Sequence, residues 1–577
     1  MFESSSITSS STTIVLSGVA ALLFLLRLWL LPKPLPGIPY NKNATKSLMG
    51  DVPSFLASQK QGVSLSRWIA SQCDSLQSPI IQLLLGPLSK PIVIIADFRE
   101  AQDISLRRTN EFDRGNSFER IFGRLFPQWH LLMKTANPLF KWQRKWLQDL
   151  MTPAFLHTVA AEPIYQSVLK VVELWEHKNR LARGRPFAAF DDISAGALDA
   201  VLAFSFGGDF EHMSIPARVE LVSLLNEVPG PSSDTDEPVA FHEEEKKDVA
   251  RAILDLAESI EETSKAVVPS FRSWWLHQTT RIKTAKRIRD EMINREIDAS
   301  LKRLQQDEPI SSAVDHMMHR EKLFAEKEGR EPVFNSIGMH SEIFGFLMAG
   351  HESSATTFAW GIKYMASQQH AQRVLRQELR KHLAAAAAEH RQPTCEEITK
   401  TSIPYLDATI EEILRRSGTT SGTERMAMRD TTILGHHIPK DTSVIMITIG
   451  QSITKAAFVI PDSDRTKSAL DAESRIRSWE SSKYPPAEFA PERWLVPGEG
   501  PEEMVFDATA GPHMVFGLGP RGCFGRRLAY LELRMFTALF FWNFELLPCP
   551  PELSSFEAYD GLTVKPKQCY VRLKKTV

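Results

Sequence analysis

The sequence predicts a mainly helical, α+β fold with small β-sheets and one N-terminal transmembrane helix. Three observations predict it. Apolar residues recur at three- to four-residue spacing near 160–180, 191–205, 249–265, 280–304, 341–367, 371–388 and 404–416, the period of half-buried helices. The β-rich runs are short. Residues 80–85 and 91–96 flank Gly86-Pro87 and read as a hairpin, and residues 432–449 alternate around Gly435 and Pro439 as a second small sheet. Residues 14–31 are apolar except for Ser17 and Arg27, close to the ~20 residues that cross a bilayer as a helix.

The first of these elements is the anchor, residues 1–31. A cleaved secretory signal wants a basic start, and residues 1–13 carry no Lys or Arg, only Glu3. Arg27 and Lys33 put positive charge on the other side, which places the main domain in the cytosol. Residues 32–40 hold Pro32, Pro34, Pro36 and Pro39 and read as a stiff hinge. Residues 41–577 then form the catalytic domain. Within it, residues 230–248 are rich in Pro, Asp and Glu and read as an exposed loop. Residues 384–388 are alanine only and read as a helix end, and residues 451–482 read as a polar surface insert.

Composition narrows the function. The chain has 577 residues, 43% hydrophobic and 24% charged, which excludes disorder and a multi-span membrane protein. Lys plus Arg is 68 against 70 Asp plus Glu, a net charge of −2, so no basic footprint for nucleic acid exists. The five cysteines, at 73, 395, 523, 549 and 569, are odd in number and widely spaced. They suggest neither a disulfide framework nor a zinc site, and fit a reducing compartment. No histidine pair stands at zinc spacing, and no GxGxxG or P-loop motif binds a nucleotide.

The most informative stretch is Phe516-Gly517-Leu518-Gly519-Pro520-Arg521-Gly522-Cys523-Phe524-Gly525. Its glycines allow a tight turn and close approach to a flat partner. A periodic apolar helix follows from about residue 524 to 542, so Cys523 is expected at a helix N-terminus, where the dipole favours a thiolate. A thiolate so presented can be the axial ligand of a haem iron. This loop resembles the cytochrome P450 family, the haem-thiolate monooxygenases, and fits FxxGxRxCxG at every fixed position. The resemblance implies a large helical haem-thiolate fold with haem b as cofactor. It makes Cys523 the metal ligand, Phe516 its neighbour, and Arg521 the partner of a haem propionate, with Gly517 and Gly525 shaping the loop.

Three further motifs follow the family's order. Glu412 and Arg415, at i and i+3 on one helix face, resemble its ExxR pair, and Arg493 in Pro491-Glu492-Arg493-Trp494 would complete a buried structural network. Ala349-Gly350-His351-Glu352-Ser353-Ser354 is similar to AGx(D/E)T(T/S). There Glu352 and Ser353 would be catalytic, holding water in a local helix distortion and passing protons. Ser353 departs from the usual Thr and loses the β-branch that fixes a rotamer. The early-helix WxxxR is imperfect: Trp142 is followed by Trp146, leaving Trp142 and Arg144 as cofactor-binding candidates.

The resemblance implies a monooxygenase that inserts one oxygen atom from dioxygen into a lipophilic small molecule, in the texture of fungal secondary-metabolite biosynthesis. Its electrons would come from a separate NADPH-cytochrome P450 reductase, docked on Arg526, Arg527, Arg144 and Lys145, and its place would be the endoplasmic reticulum membrane. A haem-thiolate isomerase or dehydratase working without a reductase, or a non-catalytic haem protein, are the alternatives. Glu352-Ser353 counts against the first, and the second does not require a proton-relay motif. Phe112, Phe118, Phe122, Phe126 and Trp129 suggest a pocket for apolar substrates or ordinary core packing.

Overall fold

The computed structural model describes residues 5–228, 234–241, 248–266, 268–472, 478–479, 482–500 and 503–576, with side chains from Val15 onward. Parts of the expected loop at 230–248 and of the insert at 451–482 therefore lie outside the described residues. The chain divides into two compact units.

The first unit comprises Met1–Asp113, Gly422–Gln451 and Ala457–Glu473. Ser5–Leu30 is helical, and its side chains from Val15 to Trp29 are exposed. Among the described residues no helix is long and apolar enough to cross a membrane. The expected hairpin forms, Ile80–Leu83 against Ile92–Ile95, antiparallel. It does not stand alone. Ser443–Ile447 pairs parallel to Ile92–Ile95, and Gly422–Ala427 and Phe112–Asp113 complete a five-stranded sheet. The expected second sheet shrinks to a ribbon, Thr431–Ile433 with His436–Ile438, turning at Gly435 with φ +76°. The reason is composition: after Ser443 the strand is apolar, Val444 to Ile447, and is most stable in a sheet interior. Trp68, Ile69 and Cys73 of the Leu65–Leu76 helix pack on Ile81, Ile94 and Ile447.

The proline segment is tied to this sheet through Gln82. Gln82 accepts from the Leu35 N–H at 2.7 Å and donates to the Leu35 and Ile38 carbonyls at 2.9 and 2.8 Å. The first part of the polar insert is likewise docked. Arg465 pairs with Asp97 at 2.9 Å, Thr466 and Ser468 donate to Asp103, and Arg99 donates to the Ala469 carbonyl.

The second unit comprises Arg114–Ser421, Ser452–Ala456 and Ser474–Val577. Its axis is the 31-residue central helix Ile337–Ser367, started by Ser336, whose hydroxyl accepts from the Met339 N–H. Its glycines let neighbours reach its backbone. A Cβ on Gly345 would stand 2.4 Å from the Trp129 indole, and one on Gly350 would stand 2.9 Å from Val201 of the Phe190–Phe206 helix. Aromatic side chains weld the next layer: Phe358 lies 5.0 Å from Phe536, and Trp175 meets Phe540 edge-on at 4.6 Å. The aromatic series after residue 112 belongs largely to this core. Phe126 is fully buried and stacks on Phe344 at 5.3 Å. The expected helix at 371–388 is two, Gln369–His382 and Ala384–Ala388, broken at Leu383.

Candidate functional site

The glycine loop is closed by its own backbone. Gly517 (φ +62°) donates to the Met514 carbonyl, and Gly519 (φ +70°) opens a single 3-10 turn, Gly519–Arg521, after which Gly522 donates to Gly519 at 2.9 Å. Only glycine adopts these angles without strain. Cys523 then donates its N–H to the Phe516 carbonyl at 2.7 Å, which ties the sulfur-bearing residue to the start of the loop. The following helix runs Arg526–Asn543 with Gly525 as its N-cap, so Cys523 precedes the helix by three residues instead of opening it. The helix end still reaches the sulfur, through a hydrogen bond from the Gly525 N–H. Cys523 alone of the five cysteines is exposed. Its sulfur is nevertheless crowded on its inner side: burial pushes the thiol pKa up, against the Gly525 N–H and Arg526, which pull it down.

Basic side chains gather beside this loop. Arg521 donates to the Leu131 carbonyl at 3.0 Å and lies 4.6 Å over the Phe140 ring. Arg144 reaches the Pro520 carbonyl and lies 5.9 Å over Phe524. Arg526 and Arg527 are exposed; Arg526 covers the Phe516 and Tyr530 rings, and Arg527 donates to the Met151 carbonyl. Two expected members are not brought here. Trp142 packs on Trp146 and Phe324, under Arg330, and Lys145 lies 4.8 Å over Trp142. The cause is Trp146, whose indole N–H donates to buried Glu321 at 2.8 Å and turns that face toward the Ala313–Glu328 helix.

Glu412, Arg415 and Arg493 meet with no side-chain exposure. Both Glu412 oxygens accept from Arg415, at 2.7 and 2.8 Å, and one also accepts from Arg493 at 3.1 Å and the Ala490 N–H at 2.9 Å. Trp494 donates to the other at 3.0 Å. Burial alone would raise the Glu412 pKa, but Arg415 and Arg493 hold it below the ordinary value.

Glu352 and Ser353 are neighbours in sequence that diverge in space. Glu352 accepts from the Thr563 hydroxyl at 2.9 Å and pairs with Lys565 at 3.1 Å. Ser353 bonds back to the Ala349 carbonyl at 2.8 Å, within a helix that is α throughout instead of locally distorted.

Residues 71–463 and 484–573 match the sequence model of the family described as Cytochrome P450. The chain belongs to the cytochrome P450 family. "Cytochrome P450 monooxygenase TRI13" of Fusarium sporotrichioides is 37% identical over 576 residues, covering 96% of this chain and 97% of that protein. "Cytochrome P450 monooxygenase xilC" of Penicillium rubens is 36% identical, covering 94% and 93%. "Cytochrome P450 monooxygenase GME11363" of Pestalotiopsis microspora is 34% identical, covering 98% and 99%. This P450 is a haem-dependent monooxygenase. The interruption of the family match, 464–483, overlaps the second half of the polar insert.

The residues present in this P450 fit a haem. An exposed thiol stands on a glycine loop, a Cβ on Gly525 beside it would meet nothing within 4 Å, and Arg521 and Arg144 flank it as carboxylate partners. Several buried polar groups of the P450 core escape sequence reasoning. Glu411 accepts from the Tyr530 hydroxyl at 2.5 Å, lies 3.5 Å from His513, and is pushed by burial to a pKa of about 7, while burial drives His513 down to about 3. Glu532 bonds Ser354 across two helices, and burial pushes it up to about 8. His130 is held by Glu342. In a sequence these are isolated polar residues among apolar ones, and only the fold pairs them.

Proposed function

We propose that this enzyme oxidises a lipophilic small molecule in fungal secondary metabolism, bound to a membrane and fed electrons by an NADPH-cytochrome P450 reductase. The observation that carries the reading is the exposed Cys523 on its closed glycine loop, in a chain similar over its whole length to fungal monooxygenases. Haem b, ligated by Cys523, would supply the iron that activates dioxygen. The chain's own work is placement and proton handling. Phe516 and the loop amides fix the sulfur, and Arg521 holds a carboxylate of the cofactor. Glu352, oriented by Thr563 and Lys565, would pass protons from the central helix, and Ser353 would order the water that carries them. The test is purified enzyme with reductase and NADPH, offered candidate metabolites and followed by the spin-state shift of the Soret band. Oxygen and NADPH consumption that no substrate raises would sink the reading.

Ser353→Ala is expected to keep haem and substrate binding while peroxide released per NADPH rises about twofold or more, because the hydroxyl that steadies water is gone. Equal coupling in mutant and parent would make Ser353 a packing residue and revive a reductase-independent activity.

The docking face for the reductase would be Arg526, Arg527 and Arg144, beside the cysteine loop, with Lys145 on the adjoining helix face. Arg527→Glu is expected to slow haem reduction, leave substrate affinity intact and flatten the salt dependence of the rate. The physical reason is that the Debye length shrinks from about 10 Å at 0.1 M to about 3 Å at 1 M. Identical stopped-flow rates for mutant and parent across that range would remove this face from consideration.

Membrane attachment would rest on the apolar stretch 14–31, with the catalytic domain in the cytosol at the endoplasmic reticulum. The Pro269–Leu276 helix offers a further contact, since Phe271, Trp274 and Trp275 are exposed beside Arg272, the mix that sits at lipid headgroups. Phe271→Ser/Trp274→Ser in a chain lacking residues 1–31 is expected to move the protein from the membrane pellet to the supernatant.

A further inference from the structure

His130 opens a short 3-10 turn, His130–Leu132, between the Ser117–Phe122 and Pro138–Trp146 helices. Its backbone N–H donates to Glu342 Oε1 at 2.8 Å, and its Nδ1 stands 2.7 Å from Glu342 Oε2. Glu342 is fully buried on the central helix, and among the described residues both its oxygens are satisfied by this one residue. A carboxylate oxygen only accepts, so Nδ1 carries a proton toward Glu342, and Nε2, the ring atom left, donates to a second carboxylate when the ring is the imidazolium. Nε2 has no hydrogen-bond partner among the described residues, and the side chain keeps 11% of its surface exposed.

The surroundings say what Nε2 would meet. The imidazole lies 6.0 Å from the Phe140 ring and 6.2 Å from that of Phe524, the residue after Cys523. Arg521 lies over the same Phe140 ring and bonds the carbonyl of Leu131, next to His130. Arg144 also lies over Phe140, at 5.4 Å. Nitrogen donors from three separate segments thus converge around Phe140 and Phe524, an arrangement suited to a carboxylate. The early helix itself contributes no cation at position 146, where the uncharged Trp146 stands and donates to Glu321.

We propose that His130, clamped by Glu342, is a positioning residue that holds a haem propionate through Nε2, alongside Arg521, and takes the place of the cation absent at position 146. The proposal rests on Cys523 ligating the haem iron. A purely structural role, pinning the segment to the central helix, would use Nδ1 alone. Two amides separate the roles. Asn at 130 presents its nitrogen where Nδ1 stands and keeps the Glu342 bond; Gln presents one near Nε2 and gives that bond up.

The test uses ferric holoenzyme, timing haem transfer to excess apomyoglobin. His130→Asn is expected to lose haem about tenfold faster than the parent, as one charge-assisted hydrogen bond implies, and His130→Gln by a clearly smaller factor. Haem loss in His130→Asn at the parental rate, or faster loss in His130→Gln than in His130→Asn, overturns the proposal. If the Asn variant does not accumulate with haem, the propionate-bending band in the resonance Raman spectrum of His130→Ala serves instead, against parent and His130→Gln. A shift in Ala alone supports the contact, and no shift in either overturns it. A parent without the red-shifted carbon monoxide band overturns the Cys523 assignment beneath it, whatever the variants do.

Discussion

Cys523→His is expected to yield a folded haem protein whose ferrous carbon monoxide complex has lost the strongly red-shifted Soret band of thiolate ligation. Turnover should fall by well over the ~100-fold seen when merely a ligand's hydrogen-bond partner is changed. The residue's position makes the effect specific. Its N–H is bonded to Phe516, its sulfur accepts from Gly525, and it is the exposed cysteine, whereas Cys73, Cys395 and Cys569 are buried. Cys395→Ser and Cys569→Ser should therefore keep the band. An unchanged spectrum in Cys523→His would end the assignment.

The second large effect is on stability. Arg415 makes two bonds to Glu412 and three to the carbonyls of Ile453, Pro486 and Glu488, with no side-chain exposure. Arg415→Leu takes the doubly bonded counter-charge from a buried carboxylate and the Arg415 donor from the Ile453 and Pro486 carbonyls, a cost of about 3–5 kcal/mol against a typical total of about 5–15 kcal/mol. Most of the protein is then expected to accumulate without haem, and denaturant should unfold the remainder at a lower midpoint. Arg415→Lys should rescue little, since an ammonium cannot reproduce the planar fork. A parental midpoint in Arg415→Leu would refute the structural role. The pH response has a definite sign. Because the folded pKa of Glu412 lies below the ordinary 4.5, its stabilisation is complete above that value and is lost as pH falls through the folded one.

The sequence disclosed more of the local chemistry than of its aim. The spacing from Phe516 to Gly525 identifies the loop because each fixed position answers a backbone or ligand requirement, and periodicity finds the long helices because each buries one stripe. Direction is what a linear reading lacks. Trp142 and Arg144 are two residues apart, yet one faces Phe324 and the other Pro520. Glu352 and Ser353 are adjacent, yet they sit about 100° apart around a helix, and Thr563 and Lys565, some two hundred residues away, decide where the carboxylate goes. The same blindness hid Ser443–Ile447 in the first sheet, since a parallel pairing leaves no turn to read.

The Gln82 contact with the proline segment fixes where the chain can be cut. Three hydrogen bonds from one amide hold Leu35 and Ile38 against the edge strand Ile80–Leu83. A shortened version beginning at Pro32 keeps that latch. One beginning at Tyr40 leaves the Gln82 side chain in the sheet without its acceptors and donor, and removes Ile38, which is 2% exposed. The usable boundary for a version freed of its leading helix therefore lies before Leu35, and the prolines travel with the folded body, not with the helix ahead of them.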